Sequence, residues 1–160
     1  METPPSDPGA ALVRCSIARS LEVVGQKWCL LVVREALLGV TRFAEFRSRL
    51  GVAPDVLSAR LSSLVEHGVL ERRRYRAPGE RERDEYVLTP AGRDLVPVLT
   101  AMLEWGDAHR PTGLPPVGAT VDRTTGQPVR LAFVGADGAV LGRDAVQLVR
   151  RATASDPTGC

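Results

Sequence analysis

The sequence predicts a mainly α fold with a small β component (α+β). Its parts are a winged helix-turn-helix domain, a long terminal helix suited to dimerisation, and a short C-terminal β-hairpin appendage. Three observations predict it. Residues 41–68 read as two short amphipathic helices separated by a Gly-containing turn. Two strand-like runs follow within residues 70–88, joined by an arginine-rich loop. A long apolar helix beginning at Pro90 then closes the domain.

Each element has its own start and stop signals. Ile17, Leu21 and Val24 are spaced for burial on a helix that begins near Ser16 and stops at Gly25. A helix from about Gln26 to Leu38 is hydrophobic on most sides, as a central beam would be, and ends at Gly39. Thr41 is the expected N-cap of the next helix, whose Phe43, Phe46 and Leu50 fall on one face. Gly51 ends it at a position where a left-handed residue costs little. Pro54 suits a first helical turn; Leu57, Leu61, Leu64 and Val65 form the next apolar stripe, and Gly68 closes that helix.

Opposite that stripe lie Asp55, Ser58, Ala59, Ser62 and Ser63, with Arg60 at the edge. Small polar side chains let a helix approach a nucleic-acid groove and still hydrogen-bond to base edges. The bland reading is an ordinary solvated face, and the neighbouring loop weighs against it. Six arginines, Arg72, Arg73, Arg74, Arg76, Arg81 and Arg83, fall within twelve residues around a Pro78-Gly79 turn. Guanidinium forks suit phosphate, and a hairpin carrying them can follow a backbone or enter a minor groove. Glu80, Glu82, Asp84 and Glu85 dilute the charge, so cross-strand ion pairing is the competing use of these arginines.

Composition sets the bounds. At 160 residues, 44% hydrophobic and only 4% aromatic, the chain can build one ordinary domain around an aliphatic core, with an appendage. Net charge is +2, but fourteen basic residues face eight acidic ones over 14–83, against two and five over 84–110. A basic half beside an acidic half fits one nucleic-acid face and one remote assembly face. Twenty arginines to one lysine (Lys27) is most simply a base-composition bias. The start METPPSDPGAALVRC lacks a signal-peptide pattern, no run approaches a membrane span, and three widely spaced cysteines form neither disulfide framework nor zinc site. A cytoplasmic chain with reduced thiols is the expectation. With two histidines, His67 and His109, and no triad, phosphate loop, carboxylate pair or metal-spaced cluster, no enzyme, cofactor or metal site is expected.

After the wing, Thr89-Pro90 is an N-cap followed by a first-turn proline. The helix from Pro90 to about Asp107 carries Leu95, Leu99, Met102, Leu103 and Trp105, with a kink expected at Pro97. Spare apolar surface on it suits a dimerisation arm; covering its own domain is the other use. Beyond it, Pro128–Val134 and Ala139–Leu141 read as strands about an Asp137-Gly138 turn, with Val146–Val149 as a third. The expected organisation is a mobile tail over 1–11, the winged domain over 12–109, a linker over 110–118, a β-appendage over 119–150 and a disordered tail over 151–160.

The ordered blocks Cys15, LEVVGQKW (21–28), RFAEFR (42–47), VLSARLSSLVEHGVLERR (56–73), EYVLTPAGRDLVPVL (85–99) and Trp105-Gly106 resemble the HxlR-type transcriptional regulators. These are small bacterial winged helix-turn-helix proteins related to the MarR type, and the resemblance covers roughly residues 12–107. It implies a homodimer, held by its first and last helices, on a pseudo-palindromic operator in double-stranded DNA, commonly as a repressor. The expected DNA contacts are Thr41, Arg42, Pro54, Asp55, Ser58, Arg60, Ser62, Arg76, Arg81 and Arg83; the expected dimer contacts are Ile17, Leu21, Leu95, Leu99, Met102, Leu103 and Trp105. Some members sense oxidants or electrophiles through a cysteine just ahead of the first helix, the place Cys15 occupies. A helix start and the nearby Arg14 and Arg19 favour a thiolate there, whereas packing at the dimer seam is the plainer role. The run Val52-Ala53-Pro54-Asp55 departs from the polar or basic residues usual at the head of the recognition helix. Asp55 serves a helix N-terminus better than it serves phosphate. Two alternatives stay open: a regulator binding a small apolar molecule near the dimer interface, and a winged-helix protein–protein module that never touches DNA.

Overall fold

A computed structural model describes residues 13–76 and 82–149. The expected tails, the Pro78-Gly79 turn, Arg81 and Cys160 lie outside the described residues. The chain divides into two compact units at Met102–Leu103.

The first unit opens with α1 (Ser16–Val24), α2 (Lys27–Leu37), α3 (Phe43–Leu50) and α4 (Pro54–Glu66). The wing, β1 (Leu70–Tyr75) and β2 (Arg83–Leu88), follows, then α5 (Pro90–Arg93) and the start of α6 (Val96–His109). The central-beam expectation for α2 fits its neighbours, since α1, α3, α4 and β2 all pack on it. Cys29, Val32 and Val33 on α2 meet Phe46 of α3 and Leu57, Leu61 and Leu64 of α4 in the buried core. With so few aromatics to fill space, aliphatic interdigitation carries this core; burying one such side chain contributes about 1.5–3 kcal/mol.

One charge sits inside it. Glu35 is 4% exposed, and its carboxylate accepts from Arg34 Nη2 at 2.6 Å and Nε at 3.0 Å. Arg49 of α3 approaches its other oxygen at 3.6 Å. The pairing keeps a buried carboxylate from being orphaned and links α2 to α3.

The wing strands are antiparallel, in register from Leu70 opposite Leu88 to Tyr75 opposite Arg83. Thr41 was expected to cap α3, yet Arg42 holds that position and no side chain caps the helix. Thr41 instead turns its carbonyl to β2 and accepts from the Tyr86 N–H at 2.8 Å, while Arg42 bridges Glu85. The strand edge competes for this backbone and wins. Gly51 takes the left-handed conformation at the end of α3, with φ 61°, as its position required.

At Thr89 several elements are tied together. Its hydroxyl accepts from the Gly92 N–H at 3.1 Å and reaches the Gly68 carbonyl at 2.6 Å, and its N–H donates to Val69 O at 3.1 Å. The helix beyond is not one kinked rod. Residues 94–95 form a turn between α5 and α6. Pro97 has no N–H to give and its ring would press on the carbonyl of Arg93 in a continuous helix. Breaking the helix moves Pro97 into a first turn, where proline is tolerated.

The second unit holds the rest of α6, β3 (Phe133–Val134) and β4 (Val140–Leu141), followed by a 3-10 turn at Arg143–Ala145. Phe133 pairs with Leu141 and Val134 with Val140 about a loop in which Gly138 has φ 81°. Pairing is shorter than the run 128–134 suggested, although Pro128 bridges Val121. The expected third strand at 146–149 does not form; these residues follow the 3-10 turn, and Leu148 is 95% exposed. Within this unit Glu104 accepts from the Leu131 N–H at 2.9 Å and approaches Arg143 at 3.7 Å. Asp122 caps its loop by accepting from the Thr124 and Thr125 N–H groups, bonds that hold its carboxyl below the usual range.

Gly92 is buried, and a Cβ there would run into the Val69 carbonyl oxygen. Gly106, also helical, has open space around it. Gly92→Ala should therefore lower stability by about 1–3 kcal/mol, whereas Gly106→Ala should be neutral or raise it by up to about 1 kcal/mol. Denaturant melts of the two variants check this; an unchanged midpoint for Gly92→Ala would refute the close-approach argument.

Candidate nucleic-acid interface

The rotation of α4 follows from its buried stripe. Leu57, Leu61 and Leu64 are fully buried, so positions 55, 58, 59 and 62 face solvent by helical geometry. Pro54, Asp55, Ser58, Ala59 and Ser62 are all exposed. Asp55 lies in the first turn, where its charge stabilises the helix N-terminus. The result is a shallow polar surface without bulky side chains.

Arg60 departs from the expected DNA-facing edge. It is half-buried, and its Nε is enclosed without a hydrogen-bond partner. Its guanidinium lies close enough to Cys29 to pull the thiol pKa down, but burial outweighs that and pushes the Cys29 thiol up. Cys29 is thus a core thiol held protonated, as its place in the apolar helix suggested, and Arg60 is directed to α2 instead of outward.

The wing arginines divide. Arg72 approaches Asp84 at 3.6 Å; Arg74 bonds Glu82 at 3.0 Å and approaches Asp84 at 3.6 Å. Arg73 bonds Glu71 on its own strand at 3.1 Å and holds that carboxyl below its ordinary range. Arg72, Arg73 and Arg74, all on β1, thus each have a carboxylate partner. Arg76 and Arg83, towards the tip, are exposed. Arg42 is exposed as well, but its Nη2 donates to the Tyr75 hydroxyl at 2.6 Å and its guanidinium lies 4.4 Å from that ring's centroid. Tyr75 and Tyr86 were not singled out in the sequence; their rarity in an aromatic-poor chain was the available signal.

Of the expected dimer residues, Ile17 and Leu21 on α1 and Met102 on α6 are 52–62% exposed. Val98, not foreseen, is 44% exposed one turn before Met102. Leu95 and Leu99 instead pack on the first unit's own core, which uses part of their apolar surface inside the chain. In the second unit Trp105 is exposed and stacks obliquely near His109, and Leu103 is half-buried. Cys15 holds the N-cap position of α1 and is partly exposed. Among the described residues, no helix is long and apolar enough to cross a membrane, and no group of three His, Cys, Asp or Glu side chains is placed to hold a metal ion.

Residues 23–113 match the HxlR-like helix-turn-helix family. An uncharacterised HTH-type transcriptional regulator of Mycobacterium tuberculosis is 45% identical over 102 residues, 62% of this chain; the match spans 63% of that relative's length. The structure is similar to that of PA1607, a candidate transcription factor, with TM-score 0.74 and 39% identity over 86% of this chain and 96% of that one. That coverage exceeds what the first unit can supply, so the likeness extends into the second. The redox regulator HypR in its reduced form is 31% identical with TM-score 0.54, covering 61% of this chain and 95% of its own.

Inward packing of Arg60 and outward placement of Arg83 give opposite expectations. Arg83→Ala should lower the salt dependence of duplex binding by about one unit of slope and weaken all sequences alike. Arg60→Met should leave that slope unchanged and alter stability by no more than about 1 kcal/mol. Affinity measured across a salt series for both variants decides; a slope lowered by Arg60→Met would return Arg60 to the DNA face.

Proposed function

We propose that the chain, which belongs to the HxlR-like helix-turn-helix family, is a DNA-binding transcriptional regulator that acts as a homodimer on a pseudo-palindromic operator. The observation that carries this is the exposed face of α4, small and polar at Asp55, Ser58, Ala59 and Ser62 behind three fully buried leucines. In this reading α4 enters the major groove with Ser58 and Ser62 at base edges, while Arg76, Arg81 and Arg83 on the wing hold backbone or minor groove. Selection of bound fragments from a random duplex pool tests it, because a winged-helix module built for protein partners would enrich no half-site.

Exposed apolar residues on α1 and α6, Ile17, Leu21, Val98 and Met102, support the dimer. Two recognition helices about 34 Å apart would then meet successive major grooves. Introducing Ile17→Glu with Met102→Glu should yield a monomer in sedimentation and weaken operator binding more than about tenfold, since one half-site forfeits the avidity of two. Wild-type monomers at micromolar concentration that still bind the operator at full affinity would exclude this assembly.

A redox response through Cys15 is the second reading, favoured by its partly exposed place ahead of α1 and by similarity to the redox regulator HypR. Oxidation or alkylation there adds bulk or polarity beside Ile17 and Leu21, the surface assigned to the dimer. Diamide or a quinone should weaken operator binding by wild type but not by Cys15→Ser. Cys29, 1% exposed, should resist modification. Equal loss in both proteins, or none in either, would make Cys15 a packing residue.

A further inference from the structure

We propose that Lys27 is an acyl-acceptor site, taking a short-chain acyl group from an activated donor, and that acylation there changes operator affinity. The regulatory half of this inference rests on the DNA-binding reading above; the acceptor half does not.

The composition singles this residue out. Of the twenty-one basic side chains, twenty are arginine and one is lysine. A base-composition bias accounts for the twenty and leaves the exception to be explained. Positive charge, phosphate binding and stacking on a ring are all served by a guanidinium at least as well as by an ammonium. What lysine adds is a primary amine that can become a nucleophile and accept an acyl group, whereas arginine stays protonated. Position 27 thus keeps the one chemistry that arginine cannot supply.

The surroundings of the amine suit that chemistry. Lys27 is exposed, and among the described residues no carboxylate is paired with its ammonium. Its Nζ lies 4.9 Å from the centroid of the Trp28 ring. Trp28 is half-buried and packs on the core, so the indole offers a fixed face beside the amine. Lys27 is also the first residue of α2, whose start has neither a side-chain cap nor an acidic residue in its first turn. A cation gains nothing from the positive end of a helix. The oxyanion formed when an amine attacks an acyl carbon is stabilised there. Once attached, a short acyl chain can rest on the indole face, and an apolar contact replaces a cation–π one.

The step balances without a cofactor. The neutral amine attacks the carbonyl carbon of a thioester or an acyl phosphate. A C–N bond forms while the C–S bond, or the C–O bond to phosphate, breaks. The nitrogen loses a proton to solvent, thiolate or phosphate leaves with its electron pair, and nothing is oxidised or reduced.

Position supplies the regulatory consequence. Lys27 directly follows the bend at residues 25–26 that joins α1 to α2, and a Cβ at Gly25 would strike the Leu21 carbonyl, so the bend is tight. On one side of it α1 carries the exposed Ile17 and Leu21; on the other, α2 is the beam on which α1, α3 and α4 pack. Removing a charge and adding bulk at this junction biases the angle of α1, and with it the spacing of two recognition helices.

With one lysine in the chain, peptide mass spectrometry assigns side-chain acetylation without ambiguity. Full-length protein is incubated with acetyl phosphate and, separately, with acetyl coenzyme A, each with Nα-acetyl-lysine methylamide in the same tube. Lys27 should acetylate at least about threefold faster than that free amine with one donor or both, the size of effect a helix terminus gives. The donor that shows the acceleration distinguishes a thioester source from an acyl phosphate. Rates at or below that of the free amine with both donors would overturn the acceptor site. Acetylated wild type should differ from unmodified protein in affinity for the selected operator by at least about threefold. Lys27→Gln should match the acetylated protein, and Lys27→Arg should keep the unmodified affinity with or without donor. Thermal melts superimposable on wild type check that both variants fold. Acetylated wild type with unaltered affinity, or an equal change in donor-treated Lys27→Arg, would overturn the regulatory coupling. So would an untreated Lys27→Arg that binds like Lys27→Gln, since the amine would then be a structural contact. Accelerated acetylation of a protein that enriches no duplex would instead refute the DNA-binding reading and leave the acceptor site standing.

Discussion

Packing of the α4 leucines against α2 is the constraint on which the rest depends. Leu57, Leu61 and Leu64 have no accessible surface, and together their burial is worth about 5–9 kcal/mol by area, comparable to the net stability of a small domain. A helix held by three residues on one stripe has no freedom to rotate about its axis. The identity of the outward face, Asp55, Ser58, Ala59 and Ser62, is thus decided by residues that never meet solvent. Losing one leucine to alanine would cost a cavity as well as transfer energy, and it would loosen the orientation on which any groove contact relies.

Much of this was legible in the sequence because helices and their ends are written locally. The i, i+3, i+4 stripe of α4, Pro54 at its first turn and Gly51 in the left-handed conformation after α3 each follow from a few adjacent residues. What escaped was decided by residues far along the chain. Thr41 has the composition of an N-cap, but the free edge of β2 took its carbonyl, a choice invisible without Tyr86 beside it. Arg60 looks solvent-facing by its type; only the position of Cys29 on α2 shows where its guanidinium goes. Pro97 was readable as a disruption, and its consequence depended on whether the chain would bend or break. In the second unit, an Asp-Gly turn announced the hairpin, while strand length depended on partners the local sequence does not specify.

The wing shows how net charge misleads at close range. Six arginines in twelve residues suggest a strongly basic ribbon, yet Asp84, Glu82 and Glu71 pair with those on β1. Exposed pairs of this kind contribute little to stability, roughly 0–1 kcal/mol each. Their larger effect is to hold long side chains in one arrangement.

Around Thr89 the fold joins its two surfaces. One hydroxyl caps α5 and reaches the Gly68 carbonyl at the end of α4, while the Thr89 backbone ties to Val69 at the start of β1. Gly92 lets α5 come close enough for this, since any side chain would strike the Val69 carbonyl. The end of α4, the root of the wing and the segment leading into α6 are therefore fastened within a few residues of one another. Motion of α6 on its exposed face at Val98 and Met102 cannot be independent of the wing root, because the connection between them is a four-residue helix and a turn with no slack. A change at the exposed face of α6 would thus act on the strand pair that carries the arginines beside α4.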